Sequence, residues 1–257
     1  MTKAYLSAHM GMQDQVVAPY RIPAQAHCVS PQAKRSESKN APSSLDHITI
    51  TAFSLEAGAA FVVDALGVAP QVGGEHPRMG THNLLLRLGE SMFLEVIAPN
   101  PAVAAPARPR WFALDNLGPQ SPPSLSTWVV RTGDIHAAAA ASSEPLGHIE
   151  PMNRGALNWL ITIPADGSVA LDGAAPALIE WHTDGHPAAK LPDKGLSLAK
   201  LYIAHPDPDR VSRLLASLQL DAPVSVVRAP QGAPARLVAH IHTPQGLRVL
   251  SAPSLDP

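Results

Sequence analysis

The sequence predicts an α+β fold built from repeated βαβββ modules. Two modules are expected to pair around a cleft, and a third βαβββ-like unit is expected at the C-terminal end. Two observations support this prediction: strands of alternating polarity stand next to amphipathic helices, and the same element order recurs along the chain. A chain of 257 residues can bury a sizeable core without disulfides.

The first predicted module spans residues 45–98. In the segment LDHITITA, Ile48 and Ile50 lie on one side of a strand and His47 lies on the other. A helix with a serine N-cap and a terminal glycine follows, and its apolar residues form one stripe. The segments THNLLLRL and SMFLEVIA predict two further strands, and another short strand is expected near residues 70–73.

A Pro-rich linker over residues 99–124 precedes the second module and contains an aromatic island, RWFALD. The second module is expected over residues 125–190, with an Ala-rich helix capped by Asp134 and the strands LNWLITIP and ALIEW. The third unit, residues 195–255, repeats the order, but Lys200 stands where the first module has a histidine. We therefore expect this third unit to be structural.

Residues 1–44 are polar towards their end and lack periodicity, which predicts a disordered leader. Their start lacks the apolar core of a signal peptide, and no apolar run approaches the length of a membrane span. The net charge of −2 argues against nucleic-acid binding. The lone Cys28 excludes an intrachain disulfide. We expect a cytoplasmic protein whose partner is a small molecule, not a nucleic acid or a membrane, and a homodimer stays open.

Aligning the helix N-caps of the two modules places His47 on Thr127, and aligning FLEVI with LIEWH places Glu95 on Glu180. By strand alternation, His47, Glu95 and Glu180 can all lie on the open face of the sheet, away from the helices. An imidazole and two carboxylates suit a divalent cation such as Zn, Ni, Fe or Mn. The predicted metal ligands are therefore His47, Glu95 and Glu180, and either glutamate would double as the catalytic general base.

These residues also admit structural interpretations. His47 would then only form hydrogen bonds inside a polar cleft, and the two glutamates would pair with Arg87, Arg131 or Arg154. Further residues are candidates for substrate binding because they surround a Gly-rich loop, belong to the aromatic island or occupy the position aligned with His47. These are His76, His82, Asn83, Trp111 and Thr127.

The segments LDHITI, GGEHPRMGTHNLLLRLG, FLEVIAP, PRWFALD and ALIEWHT resemble the glyoxalase-like domain family of the vicinal oxygen chelate superfamily. The resemblance implies paired βαβββ modules around a cleft for a metal and a small substrate. It implies ligands at the positions of His47, Glu95, Thr127 and Glu180. Thr127 departs from the pattern, since a hydroxyl replaces the usual histidine, and His182 is a candidate replacement.

Two functions are compatible with these observations. One is a metal-dependent lyase, isomerase or dioxygenase that acts on a small oxygen-rich substrate, with the metal as Lewis acid. The alternative is a metal-free protein that binds or sequesters a small molecule in the same cleft. A protein that only binds partner proteins through its leader and linker is a third interpretation.

Overall fold

A computed structural model describes residues 42–252, so most of the predicted leader lies outside the described residues. The first module contains strand β1, helix α1 and three more strands in the predicted order. Their bounds are β1 Ser43–Thr51, α1 Leu55–Leu66, β2 Gln71–His76, β3 Thr81–Gly89 and β4 Met92–Pro99. A short 3-10 helix, Pro77–Met79, joins β2 to β3.

The second module repeats this order after the Pro-rich segment. Its elements are β5 Ser124–Arg131, α2 Ile135–Ala141, β6 His148–Arg154, β7 Leu157–Ile163 and β8 Ala177–Trp181. The predicted caps form in both modules: the Ser54 hydroxyl accepts the N–H of Ala57, and the Asp134 carboxylate accepts the N–H of Ala137. Gly67 ends α1 in the left-handed conformation, with φ of 72°.

The two modules share one continuous sheet with the strand order β2-β3-β4-β1-β5-β8-β7-β6. Within each module the first strand runs parallel to the last, and the remaining neighbours are antiparallel. The modules meet where β1 and β5 pair antiparallel, with Thr49 opposite Thr127. The outer strands β2 and β6 contact each other, and Arg78 bridges to Glu150 at 2.5 Å. The sheet therefore curls around a cleft.

The third unit has the predicted βαβββ-like order with one extra two-residue strand. Its elements are β9 Ser197–His205, α3 Pro208–Ser217, β10 Leu220–Asp221, β11 Val224–Arg228, β12 Arg236–Thr243 and β13 Gly246–Ser251. Its four-stranded sheet has the order β11-β9-β12-β13, so the first strand is central instead of at an edge. The unit shares the element order of the modules but not their strand order. β10 pairs with the start of β1, which explains why β1 begins at Ser43, ahead of the expected Leu45.

The curled sheet has two differently covered faces. Its convex face packs on the helices and on the third unit, in a core that includes Ile48, Ile50, Trp128, Leu214 and Ile241. The concave face carries a second core that contains the aromatic island. Among the described residues, no helix is long and apolar enough to span a membrane.

Candidate functional site

A narrow cavity of about 30 Å³ lies on the concave face of the sheet, within the first module and against the second. Polar and aromatic side chains from both modules and from the aromatic island form its walls. They are His47, His76, Asn83, Phe93, Glu95, Trp111, Phe112, Arg154, Trp159 and Trp181, with Leu85, Ile161, Ile179 and Pro187. This volume is close to that of one water molecule, so the cavity admits no more than the small head group of a ligand.

His47 reaches the cavity from β1 by regular strand alternation, and an irregularity in β1 brings Asp46 beside it. The pairing of β1 with β5 shifts by one residue between Leu45 and His47, which is a β-bulge at Asp46. The His47 ring stacks on Phe93, with centroids 4.4 Å apart. Its Nδ1 lies 2.6 Å from Asp46 Oδ1, and its Nε2 lies 3.7 Å from Glu95 Oε2.

Asp46 is fully buried, and four side chains lie within 4.0 Å of its carboxylate. Besides His47, its carboxylate accepts hydrogen bonds at 2.9 Å from His186 Nε2 and Trp181 Nε1, and Arg131 Nη1 lies 3.6 Å away. Burial acts to raise the pKa of Asp46, but the hydrogen bonds from His186 and His47 outweigh it and hold this pKa well below its ordinary value. Asp46 is therefore a buried carboxylate anion.

Glu95 enters the cavity from β4 and is buried. Its Oε1 accepts a hydrogen bond of 2.6 Å from Asn83 Nδ2, and its Oε2 accepts one of 3.4 Å from Thr49. The predicted pair of His47 and Glu95 is thus placed together, as strand alternation requires. Asn83, a predicted substrate-binding residue, lies beside them and lines the same cavity.

Arg154 brings a positive charge into the same cavity from the end of β6. Its Nη1 donates to Asn83 Oδ1 at 3.2 Å and to His76 Nε2 at 3.4 Å. Burial lowers the pKa of Arg154, and the charge of Glu95 acts in the opposite direction. Within residues 42–252, no carboxylate oxygen lies within 4.0 Å of this guanidinium to form an ion pair.

His76 is buried beside Arg154, between Trp111 and Trp159. Burial, together with the nearby positive charge of Arg154, lowers the pKa of His76 from 6.5 to about 3. The ring is therefore neutral near pH 7. Because its Nε2 accepts from Arg154, its Nδ1 carries the proton and donates to the Thr81 hydroxyl at 3.2 Å. His76 thus helps to hold Arg154 in the cavity.

The buried, neutral His76 should make the protein sensitive to mild acid. Below pH 6.5 the unfolded chain binds a proton at this position, whereas the folded protein does so only near pH 3. Stability should therefore fall by about 2 kcal/mol between pH 7 and pH 5 because of this residue. Urea unfolding at both pH values checks this: His76→Gln should lose this part of the decrease, and the exposed-site variant His182→Gln should retain it. An equal acid loss in His76→Gln and wild type would contradict the expectation.

Glu180 does not join the other two predicted metal ligands. Along β8, Ile179 and Trp181 line the cavity, so Glu180 between them lies on the opposite, helix-facing side. Its Oε2 accepts the N–H of Ile135 at the start of α2 at 2.7 Å, and its Oε1 lies 2.8 Å from His182 Nε2. Glu180 thus lies apart from His47 and Glu95, so the geometry does not support its predicted catalytic and metal-binding roles, which stay predictions; His182 lies beside Glu180 and does not line this cavity. Glu180 instead anchors the first turn of α2.

Two predicted substrate-binding residues lie elsewhere. Along β3, Asn83 faces the cavity, so the neighbouring His82 lies on the helix-facing side and is not part of this site. Thr127 is buried but lines a separate cavity of about 20 Å³ in the second module. Trp111 and Phe112 are stacked on each other and line both cavities. Trp111 and His76 are thus the other predicted residues that reach the site.

The donor set does not fit the expected divalent metal. Of the predicted ligands, only His47 and Glu95 line the cavity. From the second module, strand β8 contributes Ile179 and Trp181, whose side chains have no atoms suited to bind such a cation. The Arg154 guanidinium occupies part of the same cavity wall. Within residues 42–252, no group of three or more His, Cys, Asp or Glu side chains is placed to hold a metal ion.

Sequence reasoning missed Asp46 and His186 and considered Arg154 only as a charge partner. Asp46 sits in an alternating strand, where it should face away from His47, and only the bulge brings both side chains together. His186, which precedes a proline, has the pattern of a turn residue, yet its ring reaches Asp46. No local sequence pattern reveals either contact.

Known protein families include one whose sequence pattern this chain matches. A family model described as glyoxalase-like domain matches residues 45–219, which covers both modules and the start of the third unit. The chain belongs to the glyoxalase-like domain family. No curated protein matches the sequence. The family membership confirms the resemblance seen in the sequence but assigns no reaction to this glyoxalase-like protein.

Solved structures of the same fold class are distant from it. A methylmalonyl-CoA epimerase in complex with methylmalonyl-CoA and NH₄⁺ is 15% identical, with a TM-score of 0.39, and the match covers 57% of this chain and all of that one. A hypothetical protein from Staphylococcus aureus is also 15% identical, with a TM-score of 0.48, over 81% of this chain and 85% of that one. The Mycobacterium tuberculosis methylmalonyl-CoA epimerase is 17% identical, with a TM-score of 0.36, over 53% and 85%.

Proposed function

We propose that this glyoxalase-like protein binds a small, oxygen-rich anion in its cleft, and that it does so without a divalent metal. The ligand class is a small organic carboxylate, whose head group enters the cavity beside Arg154. This is the metal-free alternative predicted from the sequence. The homodimer and the cytoplasmic location stay predictions.

The observation that carries the proposal is the unpaired charge of Arg154. The guanidinium is half-buried, its Nη1 is held by Asn83 and His76, and none of the described carboxylates forms an ion pair with it. Burying a charge without a counterion is costly, so an anion that enters the cavity gains both a charge and hydrogen-bond donors. A guanidinium can hold a carboxylate through two parallel hydrogen bonds.

The metal-dependent enzyme is less well supported because its ligand set is incomplete. His47 and Glu95 supply two donor groups, whereas Glu180 faces the helix α2 and Thr127 lines another cavity. The positive charge of Arg154 beside Glu95 also opposes the entry of a cation. The guanidinium of Arg154 favours an anionic ligand.

Calorimetric titration tests the proposal, with lactate and pyruvate as anionic probes and lactamide as the uncharged match to lactate. In excess EDTA, we expect the two carboxylates to bind and lactamide to bind at least tenfold more weakly. Arg154→Gln should weaken carboxylate binding at least tenfold, because a charge-assisted hydrogen bond contributes about 1.5–3 kcal/mol.

The matched control is Arg248→Gln, which removes an exposed arginine of the third unit far from the cleft and should leave binding unchanged. Equal binding of lactate and lactamide would contradict the proposal. If the carboxylates failed to bind in EDTA but bound again after Zn²⁺ was added, binding would need a metal. That result would contradict the metal-free proposal and support the metal-dependent interpretation.

A further inference from the structure

We infer that Asp46 is a positioning residue that fixes the proton of His47 on Nδ1, so that Nε2 presents a lone pair to the cleft and accepts a proton from the bound ligand. The proton-accepting role rests on the proposed function, since it requires a ligand beside Arg154. The fixed tautomer of His47 does not depend on that ligand.

The first step of the argument is the state of His186. The backbone N–H of Ala188 donates to His186 Nδ1 at 3.2 Å, so this nitrogen is an acceptor. The proton of the neutral ring must then be on Nε2, which donates to Asp46 Oδ2 at 2.9 Å. Trp181 Nε1, which is always a donor, reaches the same oxygen at 2.9 Å. Two N–H groups thus converge on Oδ2.

The second step is the state of His47. Asp46 is an ionised carboxylate and can only accept, so the 2.6 Å contact between its Oδ1 and His47 Nδ1 requires a proton on Nδ1. When the ring carries a single proton, that proton is on Nδ1 and Nε2 is bare. That atom lies 3.7 Å from Glu95 Oε2, too far for a direct hydrogen bond, on the wall of the cavity that a ligand would enter.

These positions allow a proton to pass from the ligand to His47. A C–H or O–H bond of the ligand breaks, its proton forms a bond to His47 Nε2, and the electron pair stays on the ligand. The resulting imidazolium lies between the carboxylates of Asp46 and Glu95, which both stabilise its charge. The negative charge left on the ligand lies in the cavity that contains the Arg154 guanidinium.

Nitrogen-15 NMR of the His47 ring at pH 8 tests the inference in the ligand-free protein. In the wild type we expect a protonated Nδ1 and a bare Nε2. In Asp46→Asn, the amide oxygen should turn to the two N–H groups of His186 and Trp181, which leaves the amide NH₂ facing His47 Nδ1. The majority tautomer of His47 should then change from Nδ1–H to Nε2–H.

A purely structural Asp46 would leave the tautomer of His47 unchanged in Asp46→Asn, and that result would overturn the inference. A proton on Nε2 in the wild type would overturn it as well, without any variant having to fold. His182→Gln is the control and should keep the wild-type signals of His47. If the tautomer is as expected but lactate and pyruvate do not bind, the ligand class fails and the positioning role stands.

Discussion

Replacing Trp128 with alanine should lower the free energy of unfolding by about 3–5 kcal/mol. This side chain is fully buried on the convex face of β5, in the core that joins the shared sheet to the third unit. Its Nε1–H also donates to the carbonyl of Ala174 at 3.2 Å. Alanine would remove both the packing and this hydrogen bond and leave a cavity at the centre of the structure.

Urea unfolding monitored by circular dichroism checks this expectation. Val72→Ala is the control, because Val72 is 80% exposed on the edge strand β2 and its truncation should change stability by less than about 0.5 kcal/mol. A loss below 1 kcal/mol in Trp128→Ala would show that the third unit is not packed over β5 as described. Trp128→Phe removes the hydrogen bond and part of the ring but retains most of the apolar contact, so its difference from Trp128→Ala measures mainly the packing.

The elements of the fold could be predicted because they depend on local patterns. Ser54 and Asp134 cap the predicted helices, and Ile48 and Ile50 lie in the core as their alternation requires. The strand order of the third unit could not be predicted, since periodicity indicates where a strand lies but not which strand it pairs with. The third unit therefore has the expected element order in a different arrangement.

The candidate site was predicted in part, and the errors have physical causes. His47, Glu95 and Asn83 converge on the cavity side of their strands. In FLEVI and in ALIEW alike, apolar residues lie on both faces of the strand, because both faces of β4 and β8 are buried. Alternation then does not tell which face carries the helix. Matching Glu180 with Glu95 predicts the cavity side for Glu180, whereas the structure places it on the helix-facing side.

Replacing Asp46 with alanine should also lower the free energy of unfolding by about 3–5 kcal/mol, because it breaks a buried charged network from its centre. The donors on His47, His186 and Trp181 would lose their common acceptor inside the protein, where water cannot readily replace it. Since the folded-state pKa of Asp46 is depressed, its stabilisation is present at neutral pH and declines only as the pH falls below the ordinary range of a carboxyl group.

Thermal and urea unfolding at pH 7 measure this effect. Asp166→Ala is the matched control: this exposed aspartate accepts hydrogen bonds from the neighbouring Ser168, and its loss should cost far less. Asp46→Asn should fall between the control and Asp46→Ala, because its amide oxygen still accepts from His186 and Trp181. If Asp46→Ala were no less stable than Asp166→Ala, the three donors would have other acceptors in solution, and Asp46 could not hold His47 in a single tautomer.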